Sequence, residues 1–156
     1  MARFQSKRAR YCLTNVMNNH PVLLKLGIVC VGKRNPVCRR IPYSPNFLNM
    51  KHWAVRSSWK KAWEEEVWVT WLQIKQAWQK VNKKKLPFQK ATLQIIVYCI
   101  RPQDEDNMIA ACKPLIDGIR YCGIIYDDKP ENLTVKSPQF VKVHKKDEEH
   151  VELFIQ

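Results

Sequence analysis

The chain has 156 residues, with 27 Lys plus Arg against 14 Asp plus Glu and a net charge of +13. That length suits one domain with a real core, and the charge points to a polyanionic partner, most simply nucleic acid. No apolar run approaches the roughly eighteen residues of a membrane span, and there is no acylation motif or long apolar signal segment. A membrane role is therefore not expected.

The charge is unevenly spread. Residues 1–63 hold 13 basic side chains and no Asp or Glu, while the remainder holds 14 of each sign. Residues 1–20, with Arg3, Lys7, Arg8 and Arg10, read as a mobile basic arm, and residues 1–35 as a partly mobile basic N-terminal extension. Val22 to Val31 is a candidate strand, and Gly32-Lys33-Arg34-Asn35-Pro36 a turn after it. Val37 to Pro42 reads as a further strand, followed by the turn-rich loop Tyr43 to Asn49. Asn49, Lys51, His52, Arg56 and Arg101 are candidates for contacts with a nucleic-acid backbone, each also at home on a solvated surface.

A long helix is expected over Lys51 to Val81. Trp59, Trp63, Val67, Trp71, Ile74, Trp78 and Val81 recur at helical spacing, which makes a continuous apolar stripe. Such a stripe is core more often than a base-stacking surface, and Trp68 falls off it. Glu64, Glu65 and Glu66 are accounted for by i,i+4 pairing with Lys60 and Lys61. Pro87 ends any continuation. Thr92 to Ile100, rich in β-branched residues and apolar on both faces, then reads as a buried central strand.

Asp104-Glu105-Asp106-Asn107 follows that strand. Asp106 or Asn107 is placed to cap a helix carrying Ile109, Cys112, Ile116 and Ile119, with Gly123 as its stop. Pro114 lacks an N–H, so an irregular turn is expected between Asn107 and Lys113. Ile124-Ile125-Tyr126 should return the chain to the sheet, with Asp127-Asp128 at its end. Asn132 to His144 offers a strand interrupted at Ser137-Pro138, and Val151, Leu153 and Ile155 alternate as a closing strand.

Six cysteines (Cys12, Cys30, Cys38, Cys99, Cys112, Cys122) form no C-x-x-C pair. Cys12, His20, Cys30 and Cys38 are conceivable zinc ligands, but their spacing matches no usual pattern. Reduced thiols in a cytoplasm are the default expectation.

Three Asp side chains from two segments make an all-oxygen site of the kind that holds Mg²⁺. Such a metal activates water and neutralises charge on a phosphate. Lys113 lies seven residues after Asp106, close to two helical turns, so its ammonium is expected on the carboxylate face. Acidic residues at a strand-to-helix junction also serve simply as caps and polar turns, and Asp117, four residues after Lys113, is a structural partner for it.

The run Asp104-Glu105-Asp106-Asn107, then Lys113-Pro114-Leu115-Ile116-Asp117-Gly118-Ile119, then Gly123-Ile124-Ile125-Tyr126-Asp127-Asp128 resembles the signature of RusA-type Holliday junction resolvases. These are small Mg²⁺-dependent endonucleases of phages and prophages. The resemblance starts near Pro36 and covers a little over three quarters of the chain, so residues 36–156 would be the endonuclease domain. It implies that Asp104, Asp106, Lys113 and Asp128 form the active site, with Asp104, Asp106 and Asp128 on Mg²⁺ and Mn²⁺ as a substitute. In the best-known members the lysine follows the second Asp by four residues; here Ala110 holds that position, as if three residues were inserted early in the helix.

The expected fold is α+β, a single domain with a mixed sheet of four to six strands and two main helices packed on it. The expected function is resolution of branched DNA by phosphodiester hydrolysis, by a homodimer in a bacterial or phage-infected cytoplasm, without a small-molecule cofactor. A non-catalytic DNA-binding protein of the same fold, or a metal-dependent nuclease with little junction preference, are the alternatives. Deleting residues 1–20 should make the slope of log affinity for duplex DNA against log salt shallower, by up to about 0.9 for each phosphate that the arm neutralises. An unchanged slope in an anisotropy titration would show that the arm does not touch DNA.

Overall fold

The computed structural model describes residues 21–32, 34–82 and 85–156; the basic arm, with Cys12 and His20, lies outside the described residues. The strands are β1 (Val22–Leu26), β2 (Val29–Val31), β3 (Val37–Arg39), β4 (Ala91–Cys99), β5 (Leu133–Val135), β6 (Gln139–Lys142) and β7 (His150–Ile155). The helices are α1 (Pro45–Asn49), α2 (Trp53–Val81), α3 (Glu105–Ala111) and α4 (Lys113–Tyr121). The fold is α+β, a mixed sheet of five strands with two main helical segments, α2 and the α3–α4 pair.

The sheet runs β1-β7-β4, with β5 and β6 in succession along the far edge of β4. β1 and β4 are antiparallel to β7, whereas β5 and β6 are parallel to β4. The register stacks three apolar rows across three strands: Val22–Ile155–Leu93, Leu24–Leu153–Ile95 and Leu26–Val151–Val97. All nine side chains are buried. The period of two is what lets a single helical layer cover them.

β4 is central, but only one of its faces is fully buried. Ala91, Leu93, Ile95, Val97 and Cys99 are buried, while Thr92, Gln94, Ile96 and Tyr98 are half-buried. The expectation of two apolar faces is corrected accordingly, and the open face explains the polar residues alternating along the strand.

The strand expected over Val22–Val31 is two strands. Gly27 donates its N–H to Glu66 Oε1 at 2.6 Å, which turns the chain out of the main sheet and over α2. β2 then pairs with β3 in a separate ribbon that joins Cys30 opposite Cys38 by a disulfide. Those two thiols are therefore not reduced, and they are not available as a pair of zinc ligands. β1 is an edge strand of the main sheet, so residues 22–26 of the expected N-terminal extension pair within it. Glu66 has this cross-element role, while Glu64 makes the expected pair with Lys60 at 3.6 Å.

The stripe of α2 is core as expected for Trp59, Trp63, Val67, Trp71 and Trp78, which are buried. Ile74 is half-buried, Val81 at the helix end is exposed, and Trp68 is exposed off the stripe. Trp71 meets Trp78 edge-on at 6.0 Å between ring centroids, and Trp78 meets Phe88 likewise at 6.0 Å. Edge-to-face contacts of this kind favour one rigid packing.

Instead of one helix with an irregular start, α3 is regular and the break falls at Cys112. The Cys112 N–H donates to the Met108 carbonyl at 3.0 Å and the Ile109 carbonyl at 3.2 Å. Pro114 then sits in the first turn of α4, where its missing N–H costs no bond. Gly123 ends the segment with φ +68°. Ile124-Ile125-Tyr126 does not form a sheet strand: it makes one parallel bridge, Phe88 with Ile125.

α4 crosses α2 at Gly118. A Cβ built there would stand 3.0 Å from Val67 Cβ, a clash that a buried β-branched side chain cannot relieve by changing rotamer. Gly118→Ala should destabilise the protein by about 1–3 kcal/mol, the usual scale of overpacking. Urea unfolding compared with wild type measures it, and equal stability would show that the crossing has slack.

Candidate functional site

The site forms where the start of α4 meets the loop after Tyr126. The Phe88 bridge fixes that loop: Phe88 donates to the Ile124 carbonyl at 2.9 Å, and Tyr126 donates to the Phe88 carbonyl at 3.0 Å. Asp127 and Asp128 therefore emerge beside the start of β4 rather than from a mobile turn. The Asp127 carboxylate accepts the Asp128 N–H at 2.9 Å, which sets the two side chains apart.

Lys113, the first residue of α4, hydrogen-bonds Asp128 and also reaches Asp117 Oδ1 at 3.2 Å. Asp117 is 6% exposed, and its other oxygen meets Lys60 of α2 at 3.1 Å. Arg120 stands 3.4 Å from Asp128 Oδ1 and 3.8 Å from Asp127 Oδ1, and Lys129 is 3.3 Å from Asp127. Three carboxylates thus share four cations. The hydrogen bond from Lys113 holds the Asp128 carboxyl below the usual carboxylate range. The same bond, with that to Asp117, raises the Lys113 ammonium. The bond to Asp117 raises Lys60 too.

Of the four residues expected in the active site, the structure brings together Lys113 and Asp128. Asp104 is the N-cap residue of α3, exposed, and its side chain makes no capping bond. Asp106 is exposed in the first turn of the same helix. Lys113 makes its ion pairs with Asp117 and Asp128 and none with Asp104 or Asp106. The helix is divided at Cys112, and a count of seven residues equals two turns only along one continuous helix. Among the described residues no group of three or more His, Cys, Asp or Glu is arranged to hold a metal ion.

The candidates for backbone contact are split between two places. Asn49, Lys51, His52 and Arg56 are exposed around the junction of α1 and α2, and α1 packs against α3, which carries Asp106. His52 accepts the Ala54 N–H at 3.3 Å as a helix cap, and Lys51 lies 4.9 Å over the Phe47 ring. Arg101 is exposed shortly before α3, in a hollow with Arg39 and Lys146.

Lys60 and Arg120 were missed from the sequence. Nothing local signals Lys60, because its partner arrives through the α2–α4 crossing. Arg120 carries the signal of a cation in the last turn of a helix, one step before the Asp pair. No family model, curated protein or solved structure matches this chain.

The ion pairs also set a pH dependence. Asp128 is depressed on folding, so its contribution is present above the ordinary carboxylate range, near pH 4, and is lost as pH falls through its folded value. Lys113 is raised, so its share is lost only as pH rises past the ordinary lysine value, about 10.4. Asp128→Asn should therefore lower stability at about pH 6, by about 1 kcal/mol or less because Lys113 is half exposed. The deficit should shrink toward about pH 3. Urea titrations of both proteins across that range decide it, and a pH-independent deficit would assign the effect to packing instead.

Proposed function

We propose that this chain is a Mg²⁺-dependent endodeoxyribonuclease that resolves four-way DNA junctions. The observation that carries the reading is the contact between Lys113 and Asp128. It joins the two motif segments that resemble the RusA-type signature, with the lysine and the second Asp of the pair in one place. The basic surplus suits the substrate, since phosphate neutralisation dominates affinity for DNA.

The donors fit the metal in kind. Asp104 and Asp106 carry exposed carboxylates, Asp104 without a capping bond, and the Asp128 carboxylate is held ionised by Lys113. Hard oxygen ligands of this kind suit Mg²⁺ together with water and phosphate. Asp104, Asp106 and Asp128 fit the ion in kind and not in arrangement; gathered on it, they would hold it, and it would supply an activated water and relief of phosphate charge. Lys113 and Arg120 are two cations beside Asp128 that a scissile phosphate would meet there. Lys113, fixed by Asp117, would stabilise the charge that builds on the phosphoryl oxygens or the leaving oxygen. A homodimer would match a substrate with two symmetric strands to cut.

The second reading is a non-catalytic DNA-binding protein of the same fold. One observation favours it: the ion pairs of Lys113 are with Asp117 and Asp128 and not with Asp104 or Asp106.

Single-turnover cleavage of a synthetic four-way junction with Mg²⁺, beside a linear duplex, separates the readings. Asp106→Asn should lose cleavage while keeping junction binding. Lys113→Ala should slow cleavage by about 10²–10³, the scale of removing one electrostatic stabiliser. Wild-type cleavage in Asp106→Asn sinks the metal site. Binding without cleavage in the wild type establishes the second reading, and equal cutting of the duplex removes the junction preference.

A further inference from the structure

Three adjoining hollows, of about 350, 400 and 430 Å³, run along the disulfide-closed ribbon of β2 and β3. Shared walls make them one groove. Arg40 lines two of them, Arg39 and Lys146 line two, and Glu149 lines all three. One end reaches Arg101 and Gln103, directly before Asp104 in the chain. We propose that this groove is a track for the phosphodiester backbone of nucleic acid, leading toward the α3 carboxylates. The proposal deepens the reading above and rests on its nucleic-acid part.

The argument is what the charged groups in the groove are already doing. Arg39, Arg40, Arg101 and Lys146 make no ion pair among the described residues. Arg39 lays its guanidinium 4.5 Å over the Tyr43 ring, and its Nε is buried without a hydrogen-bond partner. The opposing carboxylates are Asp147, Glu148 and Glu149. Two of them direct oxygens at the backbone instead of at these cations. Glu149 accepts the Ile100 N–H at 3.2 Å, and Glu148 accepts from His144 and Lys145 N–H groups, each at 3.2 Å. Lys25, at the far end, differs in having a partner, Glu152 at 3.8 Å.

Unpaired guanidinium and ammonium groups held in a concave wall are what a chain of phosphates requires, because each can displace a counterion. Arginine forks can also take a phosphate with two hydrogen bonds. The disulfide between Cys30 and Cys38 closes the ribbon that ends in Arg39 and leads into Arg40, a short tether for the backbone that carries them.

The test uses the full chain and a labelled four-way junction, with anisotropy titrations over a series of salt concentrations. Arg40→Ala and Lys146→Ala should each lower the slope of log affinity against log salt by up to about 0.9, and the double variant by about twice that. Arg40→Lys and Lys146→Arg keep the charge and should keep the wild-type slope, which separates charge from misfolding. Lys90 lines none of the groove, so Lys90→Ala should change nothing. Unchanged slopes in Arg40→Ala and Lys146→Ala overturn the proposal, as does a wild type that fails to bind DNA. Binding of polyglutamate, abolished in the same variants and without DNA binding, would assign the groove to an acidic protein and overturn it too. Failure of the nuclease reading looks different: cleavage is absent or insensitive to Asp106→Asn while the groove variants still shift the slope.

Discussion

A buried carboxylate holds the functional end of this fold together. Asp117 is 6% exposed, and such a charge is tolerated only when paired, since removing it from water costs several kcal/mol. Lys60 at 3.1 Å and Lys113 at 3.2 Å supply the pairing. The neighbouring Gly118 lets α4 come close enough to α2 for Lys60 to reach. The packing of two helices, the burial of one carboxylate and the placement of one lysine are therefore a single constraint. Lys113 passes it on to Asp128, so the loop after Tyr126 is registered on the helical layer.

Much of the fold was legible because it follows from periodicity. The tryptophan stripe of α2, the strand before the acidic cluster and the alternating closing strand each have a pattern whose period dictates the element. What stayed hidden depends on meetings between distant segments. Glu66 looks like a helical i,i+4 partner until Gly27 is seen to donate to it. Cys30 and Cys38 carry no motif, and only the antiparallel register of β2 and β3 sets them opposite each other. Of the two partners of Lys113, Asp117 was legible as its neighbour one turn on, whereas Asp128 was not, because counting turns from Asp106 assumes one helix and Cys112 divides it in two.

That division reshapes the candidate site. With Pro114 in the first turn of α4, the second helix starts anew instead of bending the first, and Lys113 becomes a helix-start residue. Its ammonium then belongs with Asp117, one turn on in the same helix, and with Asp128. Asp104 and Asp106 sit at the start of a different helix. The acidic cluster and the lysine are neighbours in sequence but belong to two helices that meet at Cys112.

The distribution of charge bears on how a polyanion would meet this surface. The formal surplus lies in residues 1–63, yet at physiological salt a field fades within about 8 Å. Net charge then governs approach, and contacts are governed by which cations are unpaired. Around Asp117, Asp127 and Asp128 the cations are committed to carboxylates. Along the β2–β3 ribbon they are not, among the described residues, because Glu148 and Glu149 turn oxygens to backbone N–H groups. Arg101 and Lys146, drawn from the charge-balanced part of the chain, thus join Arg39 and Arg40 as cations without a carboxylate. A phosphate arriving there would find cations without a carboxylate partner, beside the carboxylates of Asp147, Glu148 and Glu149 in the same walls. One arriving at Asp128 would have to compete with a carboxylate for Lys113.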